Sequence, residues 1–477
     1  MPLTSLSTAP VRVLPRKRLE WLCDPGSLEL IAPDHSPVDV LGACGRVGGR
    51  PIVCYAQDSG IAGGSVGVAE AGVIVRALRH GQMARIPVVG FLESAGARLQ
   101  EGVAALGGFG RIFFENVALS GRAPQISVIT GTSAGGGCYS PALTDFVVMT
   151  RDASMFLTGP KIVKRALGED VSSRDLGGTQ VHERNGLCDL VAATDQEAAS
   201  LVRELLGYLP QNDLQRAPSR TPEPPAPGDP ARVLPARSRS YYDVRDVIAR
   251  VVDGGRLLEM SSRWARNMVV GFARLEGHPI GVIANQARHF GGVIDVEASQ
   301  KGAKFVRTVN AYGLPLAVFV DTPGFMPGTR QEGSGVIRHG AELVRAFAAA
   351  TSPRATVILR KAFGGAFIAM NSKDLGADAA FSWPGAEIGI MSPSSAIEII
   401  HHRQLKADSS ERLASALTRR YAEEHLTPAA ARRHRAIDAV IEPAETRSRL
   451  AAALIRRERD HHDLLDADRV DHPVTRV

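Results

Sequence analysis

Two short stretches of this chain could do chemistry with backbone atoms alone. The first is Thr132-Ser133-Ala134-Gly135-Gly136-Gly137-Cys138-Tyr139-Ser140, which follows an apolar run and precedes a helix-compatible segment. Paired glycines let the chain turn sharply and leave room for a ligand atom against peptide N–H groups. N–H groups at the start of a helix attract negative charge. An oxyanion hole can be built this way without any side chain. The second stretch, Ala362-Phe363-Gly364-Gly365-Ala366-Phe367-Ile368, repeats the device. One Gly-Gly pair is commonly just a tight turn, but two at matching places in a chain point to a shared task.

Other loops are weaker candidates. Gly63-Gly64-Ser65-Val66-Gly67 is rich in glycine but lacks the Gly-Lys-Ser/Thr ending of a phosphate loop. Ser94–Gly102 and its counterpart Asp321–Gly328 each follow an apolar run. Ends of parallel strands are where α/β proteins place ligands, so both loops are candidates to line a site. Serine-hydrolase chemistry is not expected, and there is no H-E-x-x-H for zinc. His401-His402 are adjacent and expected at the surface. Cys138 is expected to be a small buried thiol, not a nucleophile.

The elements that must position these turns come in two similar sets. A strand-like run begins at Gly49-Arg50-Pro51-Ile52 and ends near Gln57; another begins at Gly277-His278-Pro279-Ile280 and ends at Gln286. Pro51 and Pro279 are 228 residues apart, as are Pro87 and Pro315 in the next apolar runs. Pro124 and Pro353, which open the runs leading to the two Gly-Gly pairs, are 229 apart. Three landmarks in one order and one register imply an internal duplication. Val88–Leu92 and Ala317–Val320 read as buried strands, and Ala69–Gln82 and Val336–Ala349 as helices. Alternating strands and helices predict an α/β fold with helices around each sheet. Arg216–Ser240 is dense in proline, which forbids helix, and reads as a linker between residues 1–215 and 241–477. Beyond Ala396 the chain reads as helical, charged and arginine-rich, most densely over Ala429–Arg435.

Composition agrees with an enzyme of this kind. The chain has 477 residues, 44% of them hydrophobic and 22% charged, with 48 glycines, which fits two packed domains. The net charge of +6 suits polyanionic small molecules. No basic run interleaved with aromatics points to nucleic acid. The five cysteines are widely spaced with no C-x-x-C, which favours reduced thiols in a cytoplasm over a disulfide framework or a zinc site, and no metal is expected. No apolar stretch reaches the ~20 residues of a membrane span, and Met1–Glu20 lacks the apolar core of a signal peptide.

Several blocks together resemble one family. Ala134-Gly135-Gly136 with Tyr139–Asp145, Gly96–Gly102, Asp321–Phe325, Ile337–Ala341, Arg360–Ala366 and Trp383–Ile388 look like the carboxyltransferase (β) subunit of biotin-dependent acyl-CoA carboxylases, of the propionyl-CoA carboxylase type. The matches run in family order from about Arg18 to about Arg447. The resemblance implies two tandem crotonase-like (ClpP/crotonase) domains and a ring-shaped homo-oligomer, commonly a hexamer. It implies that the acyl-CoA thioester oxygen is held at Gly135 and Gly136 and the biotin ureido oxygen at Gly365 and Ala366. Gly96, Ala97, Arg98, Ala134, Tyr139, Phe363, Gly364 and Ile368 are the implied substrate-binding residues. It further implies that CO2 is released from biotin, that the biotin nitrogen takes the α-proton, and that the enolate attacks CO2.

The residue two places after Gly364-Gly365-Ala366 influences acyl choice in the family. It is usually acidic in propionyl-preferring members, and here it is Ile368, which implies a different or broader acyl preference. Thr132-Ser133 stands where the family has Pro-Cys, Ala95 where it has glycine, and Ala287 where it has proline. Members usually carry further helical turns before the match at Arg18, so CoA contacts and partner docking are expected to differ. No biotinyl-lysine motif occurs, so biotin is expected on a separate biotin-carboxylase/carrier (α) chain. A CoA-ester decarboxylase, a specialised biosynthetic carboxyltransferase and a non-catalytic assembly subunit are the alternatives on the same scaffold. Both Gly-Gly turns argue against the last.

Overall fold

The β-branched and apolar runs form strands, and the intervening segments of helical period cross over between them. The structure, a computed structural model, describes residues 13–31, 39–235, 240–408 and 410–455. It divides into two units, Met1–Gln215 and Arg216–Val477.

In the first unit the strands are β1 (Glu29–Leu30), β2 (Val40–Val47), β3 (Arg50–Gln57), β4 (Val88–Ser94), β5 (Gln125–Ala134), β6 (Phe146–Thr150), β7 (Ser154–Phe156) and β8 (Leu190–Ala192). They order β1-β2-β3-β4-β5-β6-β8, with β7 paired to the far half of β5. In the second unit β9 (Leu258–Met260), β10 (Met268–Leu275), β11 (His278–Asn285), β12 (Leu316–Thr322), β13 (Arg354–Phe363), β14 (Ala379–Ser382), β15 (Glu387–Gly389) and β16 (Ala439–Val440) repeat the pattern, with β15 paired to the far half of β13.

The duplication extends to small details. Both units open with an antiparallel hairpin whose two loop residues have positive φ: Gly48 and Gly49 in one, Glu276 and Gly277 in the other. That is the turn whose twist matches paired strands. From β3 to β6, and from β11 to β14, the strands run parallel. Crossover helices Val68–Ala84 and Val103–Leu119 serve the first sheet, and Val296–Ala311 and Val336–Ala348 the second. Helix Val68–Ala84 buries Ala71, Ile74, Val75 and Leu78, a stripe at helical spacing. The β4–β5 ladder slips between Leu92 and Ser94, and the β12–β13 ladder between Val320 and Thr322. The two-domain α/β fold with crotonase-like units is thus the fold this chain forms.

Residues 216–235 run along the second unit. Arg220 N–H donates to the Gly277 carbonyl and Ala226 N–H to that of Ala249, both at 2.9 Å, while Pro224 accepts from Gly254 N–H at 3.0 Å. Residues 236–239, the last part of the proline-rich stretch before Ser240, lie outside the described residues. Helices Glu411–Tyr421 and Pro428–Arg433 lie beyond Ala396; His401 is half-buried and His402 exposed.

Candidate active site

Each Gly-Gly turn stands at the end of a strand that stays paired to its last residues. β5 is held on one side by β4, where Ser133 faces Ser94, and on the other by β7, where Ala134 faces Phe156. Gly135 then turns with φ +58°, a left-handed geometry that favours glycine. The chain winds through Gly135–Cys138 into a short helix, Tyr139–Ala142. Gly136 has no room for a side chain: a Cβ there would lie 2.9 Å from the ring of Phe109. Ser133 Oγ donates to the Gly137 carbonyl at 2.9 Å and Cys138 Sγ to that of Gly135 at 2.8 Å, which pins the turn from inside. Burial raises the Cys138 thiol pKa.

The loop after β4 comes to the same place. Gly96, at φ +101°, passes so close that a Cβ would stand 3.1 Å from the Ala134 carbonyl oxygen. Its N–H donates to Ser94 Oγ at 3.1 Å, and Ala97 bridges in parallel to Val66. Gly96, Ala97, Ala134, Gly135 and Gly136 therefore gather at one spot. Tyr139 is exposed beside them, its ring edge-on to Phe113 at 5.9 Å.

Arg98 is engaged elsewhere. Its guanidinium pairs with Glu70 at 2.9 Å and Asp39 at 3.1 Å, with Glu101 at 3.6 Å, and donates to the Ser65 carbonyl at 2.8 Å. It ties the loop down instead of pointing a free cation at a ligand. Burial, then the charge of Glu70, push the Asp39 carboxyl up to about 6, with Arg98 holding it back. Ser65 sits in Gly63-Gly64-Ser65-Val66-Gly67, which spells the G-x-S-x-G of a nucleophile elbow and so bears on the expectation that serine-hydrolase chemistry is absent. Its backbone is extended, φ −66° and ψ 134°, and its Oγ accepts from Arg98 Nε at 3.3 Å, so it lacks the strained geometry of an activated serine.

The second turn follows the same plan. β13 is held by β12, where Ala362 faces Thr322, and by β15, where Phe363 faces Gly389. Gly364 turns with φ +59° and helix Gly364–Ala369 begins. Phe363 and Ala366 are buried, so only their backbones serve the turn. Gly365 is open: a Cβ would be 3.7 Å from the Phe325 ring, an ordinary contact. Gly365 and Ile368 line a cleft of about 530 Å³ with Phe325, Val336, Ile337 and Val344. Glu332 is the one carboxylate among its lining residues. At Gly340 a Cβ would stand 3.1 Å from the Phe325 ring, so glycine there lets the ring lie against the helix. From sequence this wall reads only as a helix with a family-like block at Ile337–Ala341, not as a site, because apolar residues at helical spacing over 336–344 read equally well as core. Among the described residues no group of three or more His, Cys, Asp and Glu is placed to hold a metal ion, and no helix is long and apolar enough to cross a membrane.

Known proteins are similar to this chain in sequence and in fold. Residues 16–466 match the family model described as the carboxyl transferase domain. The methylmalonyl-CoA carboxyltransferase 12S subunit of Propionibacterium freudenreichii subsp. shermanii is 40% identical over 457 residues, covering 92% of this chain and 87% of the relative. The carboxyltransferase subunit of propionyl-CoA carboxylase from Haloferax mediterranei is 44% identical, covering 87% and 82%. Methylmalonyl-CoA decarboxylase subunit alpha of Veillonella parvula is 43% identical, covering 87% and 81%. A crystal structure of hexameric transcarboxylase 12S with methylmalonyl-CoA and methylmalonic acid bound superposes with a TM-score of 0.90 at 38% identity, covering 98% of this chain and 92% of that one.

Proposed function

The chain belongs to the carboxyl transferase family, and from that premise we propose that it is the carboxyltransferase subunit of a biotin-dependent acyl-CoA carboxylase. The observation that carries this reading is the pair of pinned glycine turns, 229 residues apart, each ending a strand held on both sides. On this reading the N–H groups of Gly135 and Gly136 bind the thioester oxygen of an acyl-CoA. They take up the negative charge that grows there as the α-proton leaves. Rigid donors stabilise that enolate without reorganising during the reaction. Ser133 and Cys138, beside the turn, donate inward to backbone carbonyls, so neither is aimed at the α-proton.

The second turn suits biotin. An apolar cleft ending in the open backbone at Gly365 fits a compact, largely apolar bicycle whose planar ureido group presents one carbonyl oxygen. Gly365 and Ala366 would hold its ureido oxygen, with Gly364, Phe363 and Ile368 around them. Carboxybiotin presented on a separate biotinylated α chain would supply the CO2, and the ring nitrogen freed by its loss would take the α-proton of the acyl-CoA. The first unit then serves the acyl-CoA and the second the biotin. A homohexamer is the proposed assembly, supported by the 12S structure and by exposed apolar residues Val103, Leu106, Phe114 and Val117 on one helix. A cytoplasmic setting is supported by five cysteines without a disulfide.

A decarboxylase reading has one specific support, the 43% identity to the Veillonella protein, since the same enolate forms when a carboxyl group leaves. The test is fixation of labelled bicarbonate with ATP, a biotinylated α subunit from the same source, and acetyl-, propionyl- or butyryl-CoA. Avidin-sensitive label on the CoA ester is expected, and the ranking of esters in wild type against Ile368→Ala reports whether Ile368, which lines the second-turn cleft, also meets the acyl chain. No fixation with any of the three esters, despite an active α subunit, refutes short-chain acyl-CoA carboxylation and leaves a specialised substrate or decarboxylation. Release of CO2 from malonyl- or methylmalonyl-CoA in its place would establish the decarboxylase.

A further inference from the structure

Below each glycine turn lies a carboxylate that neither the fold nor the chemistry above requires. Both occupy the point where the ladder slips: Glu93 between Leu92 and Ser94, Asp321 between Val320 and Thr322. There the longer strand carries extra residues, and backbone groups lose their regular partners. In each unit an amide side chain from the preceding strand accepts the carboxylate residue's own N–H: Gln57 Oε1 from Glu93 at 3.0 Å, Asn285 Oδ1 from Asp321 at 3.2 Å. In each unit an arginine closes on the carboxylate.

The two arginines have different origins. Glu93 is met at 2.8 Å by Arg18, from helix Pro15–Leu22, which also pairs with Asp195 at 2.7 Å. Asp321 is met at 3.1 Å by Arg360, from β13 itself. The residue matching Arg360 in the first unit, at the 229 offset, is Gly131, where a Cβ would stand 2.6 Å from Glu93 Cδ. One unit keeps the arginine on the strand; the other replaces it with glycine and brings an arginine from a helix. The same ion pair at the same slip, reached by two routes, marks the pair itself as the working part. A buried carboxylate is costly unless fully partnered, and Asp321 is only 1% exposed. It is partnered by the Tyr242 hydroxyl at 2.9 Å and by the N–H of Lys361 at 3.2 Å, three residues before Gly364. Arg360 in turn lies over the Tyr242 ring and donates to the Ser240 carbonyl at 2.9 Å.

We propose that Asp321, clasped by Arg360 and Tyr242, and Glu93, clasped by Arg18, are positioning residues that aim the second and first glycine turns respectively, each tuning one ligand only. The assignment of ligands rests on the reading above, with biotin at the second turn and acyl-CoA at the first.

The test measures binding to the whole protein by ligand-observed NMR, using free biotin and propionyl-CoA separately, with thermal melting alongside. Asp321→Asn is expected to weaken biotin roughly tenfold or more while propionyl-CoA stays within about twofold, since a charged hydrogen-bonded partner is lost at one turn. Glu93→Gln is expected to show the reverse. Tyr242→Phe, which removes one hydroxyl, is expected to weaken biotin alone by a few-fold, and it decides the matter should Asp321→Asn not fold. Equal losses for both ligands in proportion to a lowered melting temperature, or no loss for either, overturn the positioning role. If the wild-type protein binds propionyl-CoA but not biotin, the ligand assigned to the second turn is wrong. Glu93→Gln on propionyl-CoA then decides the positioning role by itself.

Discussion

Adding a single methyl group at Gly136 tests whether this turn is catalytic. A Cβ there would sit 2.9 Å from two atoms of the Phe109 ring and 3.0 Å from a third. Carbon atoms prefer ~3.5–4.0 Å, so ring and turn must separate by roughly 0.6–1 Å. Phe109 is 4% exposed and packs with Val66, Ala71, Ile74 and Ile112, so the ring cannot simply swing into solvent. Overpacking of this kind costs ~1–3 kcal/mol, shared between a displaced ring and a displaced turn. A displaced donor at an oxyanion hole costs ~10²–10³ in kcat. Gly136→Ala is therefore expected to lower kcat about 100-fold, with KM within about threefold and a melting temperature lower by a few degrees. Gly365→Ala differs in kind: its Cβ would be 3.7 Å from Phe325, so the turn need not move, but the methyl enters the cleft assigned to biotin, and weaker use of the biotin substrate is expected with the melting temperature unchanged. Adding Phe109→Leu to Gly136→Ala should return part of the lost rate, because the two residues collide with each other. Label transfer from bicarbonate to the CoA ester, measured at saturation, reports all of these. Wild-type kcat in Gly136→Ala would refute the oxyanion role. Failure of Phe109→Leu to restore any rate would show that the collision is not the cause.

Two further outcomes follow from the first unit. Asp39 holds its proton more tightly when folded, at about 6 against 3.8. Its stabilising contribution is therefore complete below the unfolded value and is lost as pH rises from there through about 6. Thermal melts across that window should show wild type losing stability relative to Asp39→Asn as pH rises, and a gain would contradict the assignment. Cys138 has a thiol pKa raised by burial and a hydrogen bond to the Gly135 carbonyl, so Cys138→Ala is expected to keep kcat within about threefold. A loss beyond about 100-fold, with the turn intact by spectroscopy, would make the thiol a reactant.

Much of the fold is legible from punctuation and period. The proline offsets of 228 and 229 mark the repeat, and β3, β4, β12 and the first crossover helix fall within a few residues of their sequence readings. The turns are legible because glycine is the residue that positive φ selects, as at Gly135 and Gly364. What sequence does not convey is where a side chain spends its charge. Arg98 stands among the residues implied to bind substrate, yet three carboxylates surround it, two of them distant in the chain. The cleft wall over 336–344 has the spacing of a buried face, and only the fold leaves that face open. Glu93 and Asp321 are likewise ordinary strand-end acids until the slipped ladder is seen.

The double anchoring of β5 and β13 bears on how the protein behaves on warming. Loops that bind ligands usually loosen well before a domain unfolds. Here each turn leaves a strand whose final residues are bonded to a neighbour on both sides, so the turn cannot fray without breaking the centre of its sheet. Activity should then climb with temperature until the sheet itself melts. The loss of turnover and the loss of structure would fall on one curve.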